Sequence, residues 1–180
     1  MEQRRELVKG LSIYGATSVV AGIIIGTGIF VVPSLMLQQV GSPAGVIAVW
    51  NPPLWTRHIV VVLMWPASIM IAAAYIPGNI KRVLKHPMLA GVKTWAFAHL
   101  CANGDLGGII LFGAVLAWAV YDRITLKHRS DPGAPPIPVG GGKNDVIAII
   151  VGTIIYLALG FVFHPIIIGV PAFGTPAFGQ

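Results

Sequence analysis

Long apolar runs separated by short polar or Pro/Gly-rich stretches dominate the chain. Five runs approach the length of a bilayer-crossing helix: Leu11 to Gln38, His58 to Pro77, Met88 to Ala102, Leu106 to Asp122 and Asp145 to His164. A crossing needs about 20 predominantly apolar residues, so the third run is short. Asn103-Gly104-Asp105 reads as a tight connection in which Asn103 or Asp105 caps the start of the fourth helix. Asp131 to Asn144 combines Pro and Gly with few core-forming residues and reads as a flexible loop. After His164 comes an internal echo, Pro171-Ala172-Phe173-Gly174 and Pro176-Ala177-Phe178-Gly179, expected to lie irregularly at the outer interface with Phe173 and Phe178 as anchors. The pattern predicts an all-α fold, a polytopic membrane helix bundle with about five transmembrane helices.

Composition strengthens this reading. The chain has 180 residues, of which 56% are hydrophobic and 10% charged, and its mean hydropathy is +0.81, outside the range of soluble domains. Five spans and their loops leave no room for a separate soluble domain. Twelve Lys and Arg against six acids give a net charge of +6. Membrane topology explains that excess better than nucleic acid, which is not expected as a partner. Arg4, Arg5 and Lys9 precede the first span, Lys81, Arg82 and Lys85 lie between the second and third, and Arg123, Lys127, Arg129 and Lys143 lie between the fourth and fifth. The alternate loops hold Arg57 at most, and nothing after Lys143 is Lys or Arg. The positive-inside rule therefore puts the N-terminus in the cytoplasm and the C-terminus outside. The first apolar run is too long for a signal-peptide core and reads as an uncleaved span.

Candidate chemistry centres on His99, because polar and ionisable side chains in a span usually face a bundle interior. Trp95 and His99 are four residues apart and share a helix face, and Gly91 continues the stripe, leaving room for a flat group or a close neighbouring helix. The ordinary reading of His99 is a neutral histidine bonded to a carbonyl across a helix interface. His58 and His164 approach the outer face at the same depth. A solvated interfacial histidine is the ordinary reading of both, and either supplies a partner to His99 only if its helix packs against the third. His86 and His128 fall on the cytoplasmic side, His86 at a helix start where capping and headgroup contact are expected. Lys93 snorkels. Asp122 and Arg123 read as an interfacial pair ending the fourth helix, and Gly22/Gly26 and Gly104/Gly108 as small-xxx-small packing motifs. Cys101, the single cysteine, excludes an internal disulfide and a C-x-x-C haem attachment. No serine, cysteine or carboxylate pair has hydrolytic spacing, and no glycine loop is placed for a nucleotide.

Several segments resemble the NnrU family of small bacterial membrane proteins over about residues 51–174: Pro53-Leu54-Trp55-Thr56-Arg57-His58, Ala74-Tyr75-Ile76-Pro77-Gly78-Asn79, His86-Pro87-Met88, Trp95-Ala96-Phe97-Ala98-His99-Leu100, Ala102-Asn103-Gly104-Asp105, Leu111-Phe112-Gly113 and Asp145-Val146-Ile147-Ala148. The family is named for a link to nitric oxide and nitrite metabolism, and zeta-carotene isomerase is similar to it. That resemblance implies a haem b held by histidines within the membrane. Its histidine after Trp-x-x-Ala matches His99. The isomerase has a cysteine three residues before that histidine where this chain has Ala96, and the other haem histidine lies in its first helix.

In that place, Gly22-Ile23-Ile24-Ile25-Gly26-Thr27-Gly28-Ile29-Phe30 and Gly41-Ser42-Pro43-Ala44-Gly45 resemble the first helix of amino acid-polyamine-organocation permeases. One such helix without its inverted-repeat partner makes no transport pathway. Residues 1–50 are thus expected to form a permease-like first helix and connection, and residues 51–180 a four-helix NnrU-like region with a short tail. The seam would mark a fusion or a joining artefact.

The leading expectation is a multi-pass protein of the bacterial inner membrane that binds haem b in nitrogen-oxide metabolism, with the iron on His99 and with His58 or His164 opposite. The alternatives are a haem-dependent isomerase of a polyene and a small non-catalytic subunit of a larger membrane complex. A reporter domain fused after Gln180 should be active outside the cytoplasm. Cytoplasmic activity would overturn the charge argument.

Overall fold

The computed structural model describes residues 47–128 and 140–173. The expected first span, almost all of the permease-like stretch, Gly22 and Gly26, Phe178, and residues 131–139 of the expected loop lie outside the described residues. Five α-helices follow in order: α1 (Leu54–Tyr75), α2 (Asn79–Leu84), α3 (Pro87–Ala102), α4 (Leu106–His128) and α5 (Gly142–Ala158). The last passes directly into a π-helix, Leu159–Ile168. Among the described residues there is no strand, only an isolated bridge between Ala48 and Asp105. Three helices are long and apolar enough to cross a membrane: α1, α4, and α5 with its π continuation over Gly142–Ile168. At 16 residues, α3 rises only about 24 Å and falls short of a hydrocarbon core of about 30 Å.

α1 is the axis of the bundle, with α3 and α5 both packed on it and α4 packed on α3. Its buried positions are small: Thr56, Ala67, Ser68, Ala72 and Ala73. The partners mostly answer in kind, with Gly91, Ala96 and Ala98 beside Pro87 and the larger Leu89 on α3 and Ala148 and Gly152 on α5. Large apolar side chains such as Val62, Phe97, Trp118 and Ile150 point outward instead. This inversion suits a bilayer, where lipid tails are as apolar as leucine and helices associate through close packing of small residues. A Cβ on Gly91 would lie 2.7 Å from Ile71 Cγ1 and 2.9 Å from the Ala67 carbonyl, and one on Gly152 would lie 2.5 Å from Ile69 Cα. Across the same α1–α5 seam, Trp65 Nε1 donates to Thr153 Oγ1 at 3.0 Å and the Tyr156 hydroxyl to the Val61 carbonyl at 3.1 Å.

Polar contacts close the ends of the helices. Asp145, in the first turn of α5, accepts from the Ile80 N–H at 2.9 Å and from Asn79 Nδ2 at 2.8 Å, so it caps α2 from a helix more than 60 residues away. Asn144 Nδ2 and the Gly140 N–H both donate to the Pro77 carbonyl, at 2.9 and 2.8 Å. Residues 140–144, expected within the flexible loop, are therefore held, and Gly142 already begins α5. Between α2 and α3 the chain makes a γ-turn: Lys85 has φ +61° and ψ −45°, with the His86 N–H donating to the Leu84 carbonyl at 2.7 Å. That turn is rare and strained for a residue with a side chain.

Other expectations change. Gly104 precedes α4, and its backbone lies against the Trp50 carbonyl, while Gly108 serves as a backbone donor to Asp105, so the pair is not a helix-packing motif. α4 runs past Asp122 and Arg123 to His128, and these two make no ion pair among the described residues, because neighbours along a helix do not face each other. Phe173 turns back onto the bundle, its ring 4.5 Å from that of Phe161 and 5.6 Å from that of Tyr156. Only a glycine at position 160 leaves space for it.

Gly152→Leu should destabilise the detergent-purified protein by at least the roughly 1–3 kcal/mol of an overpacked contact, seen as a lower thermal unfolding midpoint. Gly113→Leu, where a Cβ meets nothing within 4 Å, should change it little. Equal effects would refute the close α1–α5 packing.

Candidate functional site

The end of α3 is built to hold His99. Its Nδ1 lies 2.9 Å from the Trp95 carbonyl one turn earlier. Its own carbonyl accepts twice from Asn103, from the backbone N–H at 2.9 Å and from Nδ2 at 2.7 Å. The connection beyond is pinned by residues 47–50, with the Val49 and Trp50 N–H groups donating to the Gly104 carbonyl and the Leu106 N–H to that of Ile47. Asp105 then starts α4 by accepting from the Gly108 N–H at 2.6 Å, the N-cap geometry expected of it. Asn103 closes α3 rather than opening α4. Phe112, in the second turn of α4, reaches the His99 ring at 4.8 Å and the Trp95 ring at 5.2 Å.

His164 comes from the π segment that continues α5. Pro165 lacks the N–H that a regular helix needs at that point, and wider helical turns commonly occur where such a bond is lost. Five-residue spacing sets His164 Nδ1 3.1 Å from the Leu159 carbonyl. The segment ends where Gly169 takes a left-handed conformation, φ +76°, with its N–H on the His164 carbonyl. The His164 and His99 ring centroids are 6.2 Å apart with planes inclined at 31°. Trp95, whose ring lies 4.9 Å from that of His99, completes a cluster of four rings drawn from three segments.

A backbone carbonyl can only accept, so Nδ1 is the donor in each of these contacts and Nε2 is the nitrogen left to meet a ligand. A carbonyl behind Nδ1–H is also the arrangement that orients a ligating histidine and raises its basicity. Metal–imidazole bonds are roughly 2.0–2.1 Å, and a ring nitrogen lies about 1 Å from its ring centre. Two imidazoles on opposite sides of one metal ion therefore hold their centroids about 6 Å apart, close to the separation observed. Among the described residues no group of three or more His, Cys, Asp or Glu side chains gathers around a point.

All five histidines lie among the described residues, so the others can be placed. His58 is exposed on α1, and among the described residues it makes no ring or hydrogen-bond contact with His99 or His164. His86 precedes Pro87 at the start of α3 and its side chain makes no capping bond there. His128 is exposed and repeats the carbonyl contact, Nδ1 to Ile124 at 2.9 Å. That bond alone therefore marks no site, and what distinguishes His99 and His164 is their convergence. Cys101 is a partly buried free thiol. Phe112 was not singled out from the sequence, although Leu111-Phe112-Gly113 stood among the resembling segments; its place against His99 depends on the α3–α4 turn.

The sequence model of the NnrU protein family matches residues 3–172. The chain belongs to the NnrU protein family. The NnrU match takes in both members of the histidine pair, and it also runs through residues 10–50, the stretch that resembles a permease helix. No curated protein and no solved structure matches the chain.

Proposed function

We propose that this membrane protein of the NnrU family binds haem b, with His99 and His164 as its axial ligands, and acts in nitrogen-oxide metabolism. The observation that carries the reading is the convergence of two imidazoles from different helices, each with Nδ1 held on a backbone carbonyl and, among the described residues, no hydrogen-bond partner at Nε2. A porphyrin supplies four equatorial nitrogens, so two imidazoles complete the iron without further protein ligands. Bound there, haem would supply one-electron redox chemistry. The Trp95 and Leu159 carbonyls fix the ring orientations, Asn103 anchors the helix end behind His99, and the rings of Trp95 and Phe112 keep water from that side of the imidazole. The link to nitric oxide and nitrite rests on family membership.

Residues 1–46 contain no histidine, and of the remaining histidines His164 lies against His99 while His58 is exposed. The polyene isomerase reading is the weaker one. Ala96 stands where the isomerase has its cysteine, on the fully buried face of α3, and Cys101 is two positions beyond His99.

The detergent-purified full-length protein should show a Soret band, and dithionite should sharpen its α and β bands. His99→Ala and His164→Ala should each lower haem retained per protein about tenfold or more, whereas His58→Ala should retain it fully. Full retention in His99→Ala would refute the assignment, and so would the absence of haem after supplementation during expression.

A further inference from the structure

The opposite end of the bundle, from the histidine pair's, carries an unassigned cavity. It is an open pocket of about 220 Å³ between the end of α1, α2 and the start of α3. Its lining combines cationic or hydrogen-bonding side chains, Lys81, Lys85 and His86, with apolar ones, Ala74, Pro87, Met88 and Leu89. Lys81 Nζ makes only a long contact, 3.4 Å to the Ala74 carbonyl. Among the described residues neither lysine pairs with a carboxylate. Two carboxylates lie nearby: Asp145 is occupied by Asn79 and Ile80, and Asp122 acts on His86 from α4. Burial and the positive charges of Arg123 and Lys85 hold His86 below the ordinary histidine range, against the pull of Asp122. The lining thus carries two lysine charges and no carboxylate.

We infer that this cavity is a binding site for the phosphate headgroup of an anionic phospholipid, held by Lys81 and Lys85 with the glycerol and first acyl carbons against Ala74, Met88 and Leu89. A phosphodiester with an apolar chain attached matches both kinds of lining residue, whereas a free phosphate would leave the apolar ones unused. Basic pockets between helices at the membrane surface are the usual recognition elements for such headgroups. The inference is independent of haem, since the cavity shares no residue with the histidine pair.

Native mass spectrometry of the full-length protein in detergent tests it, with phosphatidylglycerol and phosphatidylcholine as probes. Phosphatidylglycerol should be retained in preference. The double variant Lys81→Gln/Lys85→Gln should retain it about 10- to 30-fold less, Lys81→Arg/Lys85→Arg should stay within about twofold of the natural protein, and Lys127→Gln should be unaffected. Unchanged retention in the glutamine pair, or equal retention of the two lipids, would overturn the site. Displacement of phosphatidylglycerol by excess inorganic phosphate would show that the pocket takes the free anion and would overturn the lipid assignment; persistence would support it.

Discussion

Close contact between small residues along α1 is the constraint on which the rest depends. Because the surrounding solvent is lipid, nothing drives leucine or phenylalanine inward, and helix association rests on how closely backbones approach. Gly91 and Gly152 let α3 and α5 come within van der Waals reach of α1 at Ala67, Ile69 and Ile71. With both helices held to one axis, their far ends occupy fixed positions, and His99 and His164 sit on those ends. Packing near the middle of the bundle thus sets the separation of two rings that hardly touch through their own helices.

Polar groups then complete what packing begins. At one end Asp145 caps α2 across the sequence and Asn144 holds the Pro77 carbonyl. At the other, Asn103 closes α3, Asp105 opens α4, and the extended residues 47–50 satisfy the backbone between them. Helix ends leave unsatisfied carbonyl and amide groups, and here side chains and backbone from neighbouring segments take them up. The strained γ-turn at Lys85 persists because α2 and α3 are each fixed on both sides of it.

Much of this was legible in the sequence because apolar runs report helices directly. The second, fourth and fifth runs became helices long enough to cross a membrane, and Asp105 announced itself as a cap by its position before an apolar run. Side-chain direction was less legible. The Gly104/Gly108 spacing suggested a packing stripe, but spacing has that meaning only inside a helix, and α4 begins two residues after Gly104. Phe173 looked like an interfacial anchor because nothing local showed that Gly160 would leave a seat for its ring. The capping role of Asp145 was invisible for the same reason, its partners being more than 60 residues away.

The histidines show where the limit falls. Depth follows from counting residues along a span, and it placed His58, His99 and His164 at one level. Facing depends on helical phase, which a regular 3.6-residue repeat propagates reliably until the repeat changes. From Leu159 the chain turns with π geometry, so the phase of His164 cannot be extrapolated from α5. Pro165 is the sequence signal that the regular bond pattern must yield there, but it does not say in which direction the ring will turn. The regular phase of α1 leaves His58 exposed, while the altered phase brings His164 to His99. A helical irregularity that costs backbone regularity is therefore what assembles the pair, consistent with the concentration of π segments at functional sites.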